Sequence, residues 1–324
     1  MLPFIANIFL SCTQSDLFTL RVESTPQLSL EKPYLLAFHQ CNDQEADCFD
    51  PMMHQTRLAH SADGQHWTFF DQIAPFKGSV PDLLYRDDTL FVYALPKLRR
   101  FRIPDKKVDI SHFHVSDEKG ELVLQVDPSP IVDEKGRIVL FFMVGIAGTD
   151  PARCPQGEKR CVKHFRSATE EPGSNGLRFQ LDPGIRASVS LSQGHFASDP
   201  DLFQGPDGFY MYLSRGAQVQ VLFSQTLRGT YKPLSSLPQG IISQNVGGVP
   251  AGYYDPKSGA FWTFITKHKG RHKTEIHMAM HKDFSRPLSS QEFKPVITQR
   301  MLGGESYLAA SPGMIAAPVA GLKR

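Results

Sequence analysis

Long hydrophobic runs are missing from this sequence. The apolar stretch at residues 2–12 falls well short of the roughly 20 residues a membrane-crossing helix needs, so no transmembrane span is expected. Charge of one sign is not in excess either. With 35 Lys and Arg against 33 Asp and Glu, the formal net charge of +2 gives no global attraction for nucleic acid, and any preference for an anion must come from local clustering. The helical apolar period is also absent, while short alternating segments rich in β-formers recur throughout, which excludes a helical fold and predicts an all-β one. Cysteine is scarce, five in 324 residues, and no C-x-x-C knuckle of the structural-zinc kind occurs.

The cysteines that are present form two local pairs. Cys41 with Cys48 and Cys154 with Cys161 each enclose six residues in a polar loop, the even count expected of an oxidising compartment. His39 and His54 flank the first pair and His164 follows the second, so zinc is the competing reading. The fifth cysteine, Cys12, ends the N-terminal apolar run after a small residue. That segment resembles the end of a bacterial lipoprotein signal peptide with Cys12 as the lipid anchor, the alternative being a buried first strand. The expected organisation is a signal segment at 1–12 and one domain at 13–324. The expected location is the cell envelope or beyond it, with membrane contact only through the anchor.

One phrase recurs along the chain: a Pro next to an acidic or small residue, a short apolar strand, a Gly- or Asp-rich turn, then an aromatic strand. It reads Val80-Pro81-Asp82 before Phe91-Val92-Tyr93, and Asp127-Pro128-Ser129 before Leu140-Phe141. It returns as Asp199-Pro200-Asp201 before Tyr210-Met211-Tyr212, and as Val249-Pro250-Ala251 before Phe261-Trp262. Copies roughly 45 to 70 residues apart have the period of a propeller blade with variable loops. A further phrase, Ser61-Ala62-Asp63-Gly64 before Trp67, supplies the positive φ of a tight outer hairpin and has weaker echoes at Ser116, Ser167 and Ser224.

Four inner hairpins are therefore clear, and a fifth blade needs both ends of the sequence. Residues 34–39, 55–60 and 67–73 supply its outer strands, and residues 313–317 after Ser311-Pro312 its inner one, with 18–23 as the rival segment. The expected fold is a five-bladed β-propeller of four-stranded antiparallel blades around a central funnel, closed by the C-terminal strand so that no sheet edge stays open.

These inner phrases resemble those of the five-bladed propellers of the glycoside hydrolase 43 and 32 superfamily, and the outer Asp-Gly turns resemble the Asp-boxes of sialidases. The first resemblance implies a funnel holding carboxylates that act as base, orienting group and acid in glycoside cleavage. Asp127 is similar to the orienting Asp, and Asp199 stands where that family places its acid Glu. For the base only Asp16 lies at the matching point, and Glu305, just before the closing strand, is the substitute candidate for the acid. The resemblance also implies that the residue before each Pro faces the funnel. Asp82 and Asp201, just after Pro, are then expected to be buried acids bonded to backbone amides, or else contacts to substrate. His195 precedes another inner strand and is a candidate for the same funnel.

Loops between the second and third strands of each blade should ring the funnel mouth. The basic runs containing Arg99 and Arg100, then Arg153 to Lys163, and lastly Lys267 to Lys273 with Lys269 and Arg271, are expected to form a positive rim there. The implied function is an exported, carbohydrate-active propeller, possible in the form of a glycosidase, acting on a glycan or oligosaccharide that the rim suggests is anionic. The alternatives are a noncatalytic propeller that binds a glycan or protein through its rim, and a sialidase-like enzyme. No cofactor and no metal are called for.

Overall fold

The computed structural model describes residues 21–24 (backbone only), 30–103, 107–145, 150, 152–155, 157–270 and 273–318. Cys12, Asp16 and Arg271 lie outside the described residues. The chain forms five sheets. From the centre outward, the first runs Ser79–Arg86, Thr89–Leu95, Lys97–Arg102 and Lys107–His112, with Arg21–Ser24 on its outer edge. The second runs Gln125–Val132, Ile138–Val144, Arg160–Glu170 and Arg178–Leu181. The third begins Ser198–Gln204, Phe209–Ser214 and Gln218–Ser224, and the fourth runs Gly248–Asp255, Ala260–Gly270, Lys273–His281 and Lys294–Ile297. The fifth takes its inner strand, Tyr307–Ala316, from late in the sequence and pairs it with Tyr34–Asn42, followed by Gln55–Ser61 and Trp67–Phe69. Residues 21–24, which take in the only described part of the rival segment, pair instead with Lys107–His112 at the rim of the first sheet.

The inner strands touch in a closed cycle. Ser79–Arg86 lies against Gln125–Val132, that strand against Ser198–Gln204, then Gly248–Asp255, then Tyr307–Ala316, which returns to the first. The result is a propeller-like all-β arrangement. Among the described residues the only α-helix is Gln299–Leu302, and no helix is long and apolar enough to cross a membrane.

Packing between sheets explains the unbroken apolar second strands. Each has both faces buried, and alternate residues serve opposite neighbours. In Thr89–Leu95, Leu90, Val92 and Ala94 join Leu35 and Leu58 of the fifth sheet, while Phe91 and Tyr93 join Phe142 and Phe179 of the second. The third and fourth sheets meet through Phe203, Tyr212, Phe261 and Ile265. On the opposite face of the fourth sheet, Trp262 and Phe264 pack with Phe38 and Trp67 of the fifth. The hairpin before Trp67 is pinned locally: the Gln65 and His66 amides each donate to Asp63 Oδ1 at 2.8 Å, and the Trp67 indole donates to the Gly64 carbonyl at 2.8 Å.

Both cysteine pairs are disulfides, with Cα separations of 5.8 Å for Cys41–Cys48 and 5.6 Å for Cys154–Cys161. The bonds take up the sulfurs that the zinc alternative would have used. Mass mapping of nonreduced peptides should return these two links. By the loop-entropy model, replacing either pair with serines should cost no more than about 2.5 kcal/mol, since each loop is short. A loss much larger than that in chemical unfolding would mean that the bonds hold the fold and not merely the loops.

Candidate functional site at the hub

Every inner strand breaks its ladder at the same place. The register skips two residues between Ser79 and Asp82, Val126 and Ser129, Ser198 and Asp201, and Gly248 and Ala251, and the fifth strand breaks likewise opposite Ala37 and His39. Proline has no N–H to give the ladder, so it is tolerated at such a bulge. The residue before each Pro is left-handed: φ is 47° at Val80, 53° at Asp127, 51° at Asp199, 47° at Val249 and 51° at Ser311. Side chains before Pro ordinarily stay extended, and a β-branched valine at positive φ is strained, so the surrounding contacts must hold these kinks.

Those contacts are visible. The kinked amide of Val249 donates to Ser214 Oγ at 3.0 Å, that of Ser311 to Thr266 Oγ1 at 3.1 Å, and that of Val80 to His39 Nδ1 at 3.4 Å. In each case the acceptor belongs to the preceding sheet of the cycle. Asp199 keeps to the preceding sheet but takes a different acceptor: its amide donates to Asp127 Oδ2 at 3.1 Å, a carboxyl on the inner strand itself.

The five X-Pro dipeptides, with Asp82 and Asp201, line a cavity of ≈ 20 Å³, which is room for about one water. Four carboxylates thus meet at the hub. Asp127 and Asp201 are buried, and Asp82 and Asp199 half-buried. Desolvation raises all four. It pushes Asp199 up to about 6, although the Ser198 hydroxyl, donating at 2.5 Å, pulls the other way. Desolvation, reinforced by the charge of Asp199, lifts Asp127 well above the usual carboxylate range. Asp82 is pushed up to about 7 by desolvation against the Leu83 amide, which donates at 2.7 Å, and the Ser129 hydroxyl. Asp201 is raised by desolvation and by Asp82, while the Gly252 amide donates to its Oδ2 at 2.7 Å. Coupled carboxyls whose environments favour the protonated form can hold and pass a proton near neutrality.

The other residues singled out in the sequence do not join this group. Glu305 is fully exposed at its turn and pairs with Lys273 Nζ at 2.8 Å, outside the hub lining. His195 is exposed in the turn after Ser192, where its amide donates to the Ser192 carbonyl at 3.0 Å. The expected positive rim loses its first basic run. Arg99 and Arg100 belong to the third strand, Lys97–Arg102, and not to a loop. Arg100 is buried, donating to the Asn175 carbonyl at 2.9 Å with Asp109 at 3.5 Å, and Arg99 lies over the Phe76 ring at 4.2 Å. Lys269 does stand exposed at a hairpin tip, 3.5 Å from Glu275.

Sequence reasoning missed Ser198, Ser214, Thr266 and the role of His39. His39 stacks on His54 at 4.1 Å, and His54 bonds Ser79 Oγ at 2.8 Å and the Cys48 carbonyl at 3.1 Å. Accepting the Val80 amide requires an unprotonated His39 Nδ1, and burial lowers the pKa of both rings. The signal was available: Ser214, Thr266 and His39 all stand opposite the break in their own inner strand.

No protein-family model and no curated protein matches this chain. Among solved structures, the GH43_1 enzyme from Xanthomonas citri, complexed with xylotriose, is similar over 81% of this chain and 88% of its own, at 15% identity and a TM-score of 0.51. The xylan beta-1,4-xylosidase from Bacillus halodurans C-125 is similar over 83% of this chain at 14% identity, with a TM-score of 0.47, and this chain spans 54% of that protein's length. An exo-1,5-alpha-L-arabinanase from a bovine ruminal metagenomic library covers 86% of this chain and 97% of its own at 13% identity, with a TM-score of 0.48. At 15% identity, what the likeness to the Xanthomonas citri enzyme establishes is the fold, a propeller-like all-β arrangement.

Proposed function

We propose that this chain is a carbohydrate-active propeller whose five sheets are five blades, and that Asp127 and Asp199 form a proton-handling pair directed at a glycosidic bond. The observation that carries the reading is the bond from the Asp199 amide to Asp127 Oδ2, which holds two carboxyls of raised pKa side by side on neighbouring inner strands. Glycoside cleavage with inversion needs one carboxyl to give a proton and another to take one from water. A cavity of ≈ 20 Å³ beside the pair suits a water and excludes a sugar ring, so the glycan would lie across the open end of the hub. The Xanthomonas citri enzyme of similar fold is complexed with xylotriose, which supports a glycan as the substrate class.

The same small cavity favours a second reading, a propeller that binds a glycan without cleaving it. Both readings meet one experiment, a panel of neutral and acidic oligosaccharides assayed for reducing-end release and for binding. Release of sugar supports the enzyme, and binding without release supports the second reading. A panel that is neither cleaved nor bound overturns both. Two disulfides fit an oxidising compartment, and export is proposed on that ground. Lipid anchoring through Cys12 is a separate proposal: Cys12→Ser should move the protein from the membrane to the soluble fraction, and unchanged fractionation would remove the anchor.

A further inference from the structure

Sharing no residue with the hub lining, an open cleft of ≈ 360 Å³ lies where the second sheet meets the third, by the turn that follows Gln125–Val132 and the residues after Gln218–Ser224. Its volume is that of a small-ligand site, many times that of the hub cavity. Arg137 and Arg228 line it, and both converge on one oxygen: each guanidinium places Nη2 2.9 Å from Asp133 Oδ2. That carboxylate has no exposed side-chain surface, and it is already committed to the backbone amides of Lys135 and Arg137. Arg228 also donates to Thr169 Oγ1 at 2.8 Å and stands 3.5 Å from Asp182 Oδ2. Asp182 in turn accepts the hydroxyls of Ser167 and Thr169, each at 2.6 Å.

Two more arginines stand behind these. Arg166 donates to the Asp182 carbonyl at 3.1 Å, and Arg186, which is buried, donates to the Pro183 carbonyl. Four guanidiniums therefore surround two carboxylates, an excess of two positive charges. The remaining acids of the cleft wall do not redress it, because Glu170 is paired with Arg86 and Glu171 with Arg178. Acceptors are short as well as charge: the Nε atoms of Arg166 and Arg186 are buried and have no hydrogen-bond partner among the described residues. Buried donors left in that state cost stability, and here two of them stand behind the arginines that line the cleft.

We propose that this cleft binds an oxyanion, a carboxylate or a sulfate or phosphate group, carried on a molecule of about monosaccharide size. Guanidinium forks match the planar or tetrahedral oxygens of such groups, and the partly desolvated setting strengthens the pairing. The site is independent of the hub and does not rest on the carbohydrate reading.

The test titrates the whole protein at pH 7 and low ionic strength with galacturonate, with galactose as its uncharged counterpart, and with inorganic sulfate and phosphate, read by calorimetry or by NMR. At least one oxyanion should bind with a Kd of roughly millimolar or better, weaken as salt is added, and outbind galactose at least about tenfold. Galacturonate tighter than the inorganic ions places the sugar body in the cleft, and equal affinities make the charged group the whole ligand. Arg137→Gln, at a side chain 40% exposed and so tolerant of change, should weaken binding about tenfold or more, and Arg137→Lys should restore only part of it. Circular dichroism and thermal unfolding verify that the variants are folded. Absence of oxyanion binding by the wild type, or affinity unchanged in Arg137→Gln, would overturn the site.

Discussion

Asparagine at position 127 or 199 should lower glycoside turnover by about a hundredfold or more while the protein stays folded. The reason lies in what asparagine keeps. Its side-chain oxygen can still accept the Asp199 amide, which Asp127 now does at 3.1 Å, so the kink at Asp199 retains its partner. What is lost is a group that can give or take a proton. Desolvation already favours the uncharged form at both positions, so a neutral amide should leave thermal unfolding near neutral pH unchanged or slightly raised. A matched pair of measurements, turnover on the most responsive glycoside and unfolding temperature, separates chemistry from stability. Turnover that survives both substitutions would move attention to Asp82 and Asp201, which line the same cavity.

The hub carboxyls should withdraw stability as pH rises from about 4 to 7, against buried histidines such as His39 and His54 that add it over part of the same range, and Asp82 is the largest single contributor that can be sized. Its pKa is raised from an unfolded value near 4 to about 7. A carboxyl raised on folding stabilises the native state fully below its unfolded pKa, and that contribution is lost as pH climbs through the folded value. The window is thus about 4 to 7, and the linked loss for Asp82 alone is on the order of 4 kcal/mol. Asp201 and Asp127 shift in the same direction and add to the slope, and Asp199, at about 6, loses its share somewhat earlier. Urea unfolding at a series of pH values reads this directly. Asp82→Asn should remove this contribution, so that its stability relative to the wild type climbs between about pH 4 and 7, and a difference that does not change with pH would show that Asp82 is ionised in the folded protein across the range.

Local chemistry in the sequence located the inner strands because proline is confined to a few places in a sheet, and aromatic second strands followed because both their faces are covered. The inner strand of the fifth sheet could be named for the same reason, from Ser311-Pro312. Other features depended on residues far away in the sequence. Arg100 reads as part of a basic loop until Asp109 and the Asn175 carbonyl are seen to neutralise it, the latter 75 residues on. Glu305 sits next to an inner strand in sequence, yet its partner is Lys273 at the exposed turn. The left-handed kinks were illegible in principle, since a residue before Pro is ordinarily extended and only the caps from the preceding sheet hold it otherwise.

The recurrence of one backbone kink at five positions makes the hub a set of equivalent seats. Val80, Asp127, Asp199, Val249 and Ser311 differ in side chain but share φ within 47–53°. At Val80, Val249 and Ser311 the occupant can change without the seat changing, because the amide cap comes from the preceding sheet, whereas the seats of Asp127 and Asp199 are linked by the bond between them. A carboxyl placed at position 249 would face the same cavity from another direction, in a strand already shaped to present it. Single substitutions at the independent seats would therefore add acids to the centre while the sheets stay as they are, which gives this architecture a route between merely holding a ligand and handling its protons.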